Sequence, residues 1–163
     1  MGRLREARAE VERLMSAYTR VMLLVSVPLL VVLAAVADDL ISLLAGKRYY
    51  ADAADVVPIV ALGTLFYALG LVGTAGLITS KRTPPLIWAA LIGLGVNVGA
   101  NLALIPAFGI IGAAVATPIS TATYLLAVQI WARRHGTWRF PYATAARATI
   151  AGAVALGAAL VAV

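Results

Sequence analysis

Two asparagines four residues apart, Asn97 and Asn101, interrupt an apolar run, and four hydroxyl-bearing residues, Thr117, Ser120, Thr121 and Tyr124, follow in the next one. Amides and hydroxyls donate and accept hydrogen bonds, but without a base beside them they neither shuttle protons nor act as nucleophiles. The chemistry open to this set is recognition of a polar ligand in a cavity, or hydrogen bonding from one helix to the next. On a helix, Gly93, Asn97 and Asn101 share one face, and Gly95 and Gly99 form a second small-residue stripe beside it that allows tight packing. In the second run the hydroxyls surround Pro118, which removes a backbone N–H and predicts a kink. Those hydroxyls either satisfy carbonyls freed at the kink or face a cavity across which the kink acts as a hinge. The chain has no cysteine and a single histidine, His135. No nucleophile–base pair, ligand cluster or phosphate-cradling glycine loop is present in the sequence. The reading is therefore of a protein that is not an enzyme and uses no metal and no cofactor.

The elements that position these residues follow from composition. Of 163 residues, 63% are hydrophobic and 12% charged, and the mean hydropathy is +0.96, against roughly half apolar and a quarter charged in globular domains. A soluble fold of this length would expose large apolar patches, so lipid must cover them. A bilayer core about 30 Å thick needs roughly 20 helical residues. Five apolar runs meet that length, at about 21–44, 56–80, 86–105, 109–132 and 143–163. The predicted fold class is all-α, a polytopic membrane bundle of about five transmembrane helices over 21–163, preceded by a segment 1–20. The first run reaches 44 only by passing Asp38 and Asp39; otherwise the runs hold no Asp or Glu. An ionisable group at the bilayer centre costs at least ~2.5–3.5 kcal/mol and marks an ion path. Apart from Asp38 and Asp39 near the end of the first run, a carboxylate coupling transport to H⁺ or Na⁺ is thus missing from these runs.

The charges lie between the runs and have a side. Alternating the runs across a membrane puts Arg3, Arg5, Arg8, Arg13, Arg20, Lys81, Arg82, Arg133, Arg134, Arg139 and Arg147 on one face and Lys47 and Arg48 on the other. The positive-inside rule then places the N-terminus in the cytoplasm of a multi-pass protein of the cell's inner (cytoplasmic) membrane. The net charge of +6 and the pI of 10.2 become a topology signal, and nucleic acid is not a partner. In 1–20, Leu4, Ala7, Val11, Leu14, Tyr18 and Met22 recur at helical spacing, which suits an amphipathic helix at the cytoplasmic interface. Trp88, Trp131, Trp138, Tyr49, Tyr50 and Tyr142 fall near the ends of runs, the placement of an aromatic belt.

Between the third and fourth runs the chain reads Asn101-Leu-Ala-Leu-Ile-Pro106-Ala-Phe108-Gly109-Ile-Ile-Gly112-Ala113-Ala114-Val-Ala116-Thr117. Physically this is a helix stopped at Pro106, a tight uncharged turn, and a small-residue face that lets the next helix pack closely. The segment resembles the junction signature of the polysaccharide flippases, members of the multidrug/oligosaccharidyl-lipid/polysaccharide exporter superfamily. Phe108 departs from the more usual Tyr. A second similar element is Gly46-Lys-Arg-Tyr49-Tyr50-Ala51-Asp-Ala53, like that family's Gly-x-x-Tyr turn before a helix. The resemblance implies two six-helix bundles, often with two added helices, around a cavity that carries lipid-linked oligosaccharide across the cytoplasmic membrane by alternating access. The present runs would be helices nine to thirteen, part of the second bundle. Its partners would be membrane lipid, the lipid-linked saccharide substrate, and a missing N-terminal bundle from the same or another chain, the sequence itself being read as a fragment. Two alternatives stay open: a multidrug or small-metabolite exporter of the same superfamily, and a non-transporting membrane protein that docks a partner through 1–20.

Overall fold

The structure, a computed structural model, describes residues 2–45 and 50–161, so Gly46 and Tyr49 of the second motif lie outside the described residues. Among the described residues there are four helices: α1 (Gly2–Ala45), α2 (Tyr50–Thr79), α3 (Pro84–His135) and α4 (Tyr142–Val161). Runs of Leu, Val, Ala and Ile in lipid have no water to pair their backbone groups, and a helix satisfies every one of them internally. The helices α1, α2 and α3 are long and apolar enough to cross a membrane. At 44 residues α1 is about 66 Å long, twice the bilayer core. Residues 2–20 run without a break into 21–45, through Pro28 and past the exposed Asp38 and Asp39.

The 52 residues of α3 are a hairpin. Its backbone leaves helical geometry at Gly109 (φ 57, ψ −131), a conformation that L side chains rarely adopt. The arms 84–108 and 110–135 fold back on each other: Gly93 meets Tyr124, Asn97 bonds Ser120, and Gly112 meets Leu104. The stop predicted at Pro106 therefore falls three residues too early. A proline in the last turn of an arm forfeits one backbone bond and stays helical, whereas the reversal needs a positive φ that glycine supplies. The backbone dihedrals also stay helical at Pro118, where the sequence predicts a kink. In the junction motif Gly112 and Ala114 are buried and Ala113 half-buried, as close packing of this arm requires.

Packing orders the helices α4, α1, α2, α3. Four glycines of α2 let it run parallel to the second arm of α3: Gly63 at Thr117 and Pro118, Gly70 at Tyr124, Gly73 at Val128 and Trp138, and Gly76 at Thr137. α1 crosses the other side of α2 antiparallel, with Leu14 and Met15 near Ala75 and Leu33 near Ala61. α4 lies along α1, where Gly152 meets Val27 and Val31. The core gathers Leu23, Leu65, Leu69, Val72, Leu77 and Val128 around Trp138. Trp138 is 0% exposed and its indole N–H donates to Thr19 Oγ1 at 3.0 Å, so it is a core residue and no membrane-belt anchor; Trp88, 61% exposed, fits the belt.

Both helices that end beside Trp138 close with the same motif. At α2, Arg82 N–H bonds Leu77 O and Lys81 N–H bonds Ile78 O, with Lys81 at φ 56. At α3, Thr137 N–H bonds Ala132 O and Gly136 N–H bonds Arg133 O, with Gly136 at φ 62. These are Schellman caps, which return the chain sharply. They bring Lys81, Arg82, Arg133, Arg134 and Arg139 to the same end of the bundle as Arg13 and Arg20.

Candidate functional site

The polar residues of the two α3 arms meet across the hairpin. Asn97 Nδ2 donates to Ser120 Oγ at 3.1 Å, and Ser120 Oγ donates in turn to Thr117 O at 2.9 Å. Asn101, one turn further toward Gly109, bonds back to its own arm through Asn97 O (2.8 Å) and Asn97 Oδ1 (3.2 Å). Thr121 Oγ1 donates to Thr117 O at 2.9 Å, and Thr117 Oγ1 to Ala113 O at 3.4 Å. Around Pro118, then, the hydroxyls satisfy carbonyls of their own helix, while the amide of Asn97 ties the arms together.

Of the six residues singled out in the sequence, Asn97, Ser120, Thr121 and Tyr124 line one open cleft of about 340 Å³, floored by Gly93. Asn101 and Thr117 do not. Thr117 turns toward α2, where its Cγ2 would stand 2.9 Å from a Cβ at Gly63. The cleft gains a residue from α2 that sequence reasoning missed: Tyr67, whose ring centroid lies 5.8 Å from that of Tyr124. Thr74, also on α2, shares a 2.8 Å hydrogen bond with the Tyr124 hydroxyl and so fixes that ring. The available signal was a tyrosine and a threonine deep in the most apolar helix, away from its ends, where a hydroxyl needs a partner or a ligand.

The lining holds no Asp, Glu, Lys, Arg or His, so the cleft offers hydrogen bonds and not charge. Ser120 spends its hydrogen and accepts from Asn97. The second N–H of Asn97, the lone pairs of Thr121 and Tyr124, and the half-exposed Tyr67 hydroxyl keep hydrogen-bonding capacity. Two tilted aromatic rings beside a short row of amide and hydroxyl groups suit a polar, uncharged, hydroxyl-bearing ligand. Gly95 and Gly99 offer a contrast, since nothing lies within 4 Å of a Cβ at either position. The second small-residue stripe is thus open, and the tight packing on this arm uses Gly93.

Comparison with known proteins gives one family. The family model described as "Lipid II flippase MurJ" matches residues 4–163. No curated protein and no solved structure matches the chain.

Proposed function

This chain belongs to the MurJ family of lipid II flippases, and from that premise we propose that it forms the saccharide-facing part of a flippase that carries a lipid-linked precursor between leaflets. The chain is a multi-pass membrane protein of a transporter family and not an enzyme. The superfamily that the junction motif resembles stands. Its polysaccharide branch gives way to the lipid II branch, because that is the family matched from residue 4 to residue 163. The same match carries the functional reading.

In that reading the cleft of Asn97, Ser120, Thr121, Tyr124 and Tyr67 hydrogen-bonds the saccharide of the precursor as it passes. The cleft is lined by α2 and the two arms of α3, and a second bundle, from the same or another chain, closes it. The five helical strokes, with α3 counted twice, cross the cytoplasmic membrane with the basic end inside. Alternating access rocks one bundle against the other around the cleft, and the hydrogen-bonded hairpin moves as one body. The neutral lining supports a saccharide over a cationic drug, for which an acidic group is the usual partner.

The test uses vesicles holding the full assembled flippase and a fluorescent lipid-linked disaccharide, with a membrane-impermeant reagent scoring outer-leaflet probe. Asn97→Leu with Thr121→Val slows translocation about tenfold, as expected when two hydrogen bonds to a passing ligand are lost. Leu102→Ala, at an exposed position of the same arm outside the cleft, leaves the rate unchanged. Translocation no faster than in empty vesicles overturns the reading.

A further inference from the structure

At the basic end of the bundle, a recess of about 540 Å³ opens between the first half of α1 and the segment joining α3 to α4. We propose that it binds a phosphate group, carried by the headgroup of an anionic membrane lipid. Neither the family match nor the saccharide cleft assigns this place a role, and such a site requires only that the chain spans a membrane.

Three guanidinium groups line the recess. Arg13 and Arg20 are seven residues apart on α1, two helical turns, and so stand one above the other with Ser16 between them. Arg139 comes from the α3–α4 segment, and its position is fixed from both sides. Its neighbour Trp138 is fully buried and bonded to Thr19, and its own carbonyl accepts from Ser16 Oγ at 3.0 Å. Glu12 takes Arg139 Nε at 2.7 Å. That contact orients the guanidinium and leaves its terminal N–H groups for another acceptor. Among the described residues, Arg13 and Arg20 have no carboxylate within 4.0 Å. With Glu12 offsetting one cation, the lining keeps a net positive charge. Arginine forks at fixed spacing are the protein counterpart of a phosphate, which accepts from several N–H donors at once.

Location selects the lipid as the source. Immediately after Arg20, α1 turns large apolar side chains outward, Val21, Leu24 and Val25 among them. Phe140 walls the recess on the other side. The arginines therefore ring the place where an apolar surface made for acyl chains meets the charged end of the bundle. A diacyl phospholipid has the same sequence of chemistry along its length. Free phosphate shares the headgroup chemistry but gains nothing from the apolar surface.

The experiment is native mass spectrometry of the full protein offered equal amounts of phosphatidylglycerol and phosphatidylcholine. Phosphorus-31 line broadening of inorganic phosphate serves as a second arm. Phosphatidylglycerol occupancy exceeds that of phosphatidylcholine about tenfold, and Arg13→Gln with Arg20→Gln removes that preference. Arg133→Gln with Arg134→Gln, which deletes the same charge at the same end but outside the recess, leaves it intact. Both pairs are exposed, and matching unfolding curves verify that each variant is folded. If the Arg13/Arg20 variant fails that control, Arg139→Lys replaces it, keeping charge and losing the fork, with the same loss expected. Equal occupancy by the two lipids overturns the site. Equal loss in both double variants also overturns it, since diffuse surface charge then suffices. Broadening of inorganic phosphate without a lipid preference overturns the lipid as the source.

Discussion

A Cβ at Gly112 would stand 2.3 Å from the carbonyl oxygen of Leu104, and 2.6 Å from its carbon. Both obstacles are backbone, so neither can rotate away, and the arms of α3 would have to part. Gly112→Ala is therefore expected to cost about 1–3 kcal/mol, the usual penalty of overpacking, and to lower the thermal unfolding midpoint of the purified protein. Gly95→Ala is the counterpart: its Cβ meets nothing within 4 Å, and alanine is preferred over glycine in a helix interior by about 1 kcal/mol. The midpoint should hold or rise. Equal losses at the two positions would mean that the hairpin contact does not govern stability. The two glycines also mark what is legible at this scale. The run Gly112-Ala113-Ala114 announces a closely packed face, and so does Gly95-x-x-x-Gly99, yet only the first has a neighbour. Residue size states that a helix can approach; it does not state that one does.

At the scale of elements, the helices were written plainly in the sequence and their joints were not. Long apolar runs bounded by charge give α1, α2 and both arms of α3, because backbone pairing in lipid leaves no alternative. Proline is the stronger sequence signal for a stop, so the first arm is predicted to end at Pro106, whereas the chain stays helical to the reversal at Gly109, where φ decides the turn. Tyr67 was passed over because its role depends on Tyr124, 57 positions away. Trp138 misled for a related reason. An indole near a run's end reads equally as a membrane anchor or a core residue, and the deciding partner, Thr19, is 119 positions away. That bond is the joint between α1 and the segment leading to α4. Thr19 also donates to Met15 O at 2.7 Å, so its hydroxyl bridges helix and loop. Thr19→Val keeps the volume and removes the acceptor, leaving a fully buried indole N–H unpaired at a cost of about 1–3 kcal/mol. The unfolding midpoint should fall accordingly, and protease should cut the 137–141 segment sooner. Unchanged cleavage would mean that packing against Gly73 and Val128 holds Trp138 without the hydrogen bond.

For the molecule as a whole, the fold turns a pattern of charges along the chain into a polarity in space. Arg13 and Arg20 enter with α1, Lys81 and Arg82 form the α2 cap, Arg133 and Arg134 sit in the last turn of α3 and Arg139 follows its cap, all at one end. Asp38, Asp39 and Asp55 stand at the other, beyond the antiparallel crossing of α1 and α2. Translocating a cluster of arginines is disfavoured, so the basic end should remain in the cytoplasm, where the anionic leaflet also attracts it. The chain contains no cysteine, which makes single-cysteine labelling a direct measurement. Thr83→Cys reports the basic end, and Thr83 is exposed and makes no capping bond that the change would break. Asp39→Cys reports the acidic end. In intact spheroplasts an impermeant maleimide should label Asp39→Cys and spare Thr83→Cys until the membrane is opened. The reverse pattern would place the basic end outside, and the arginine recess would then face the outer leaflet. Labelling of both without opening would mean that the two ends do not lie on opposite sides of the membrane.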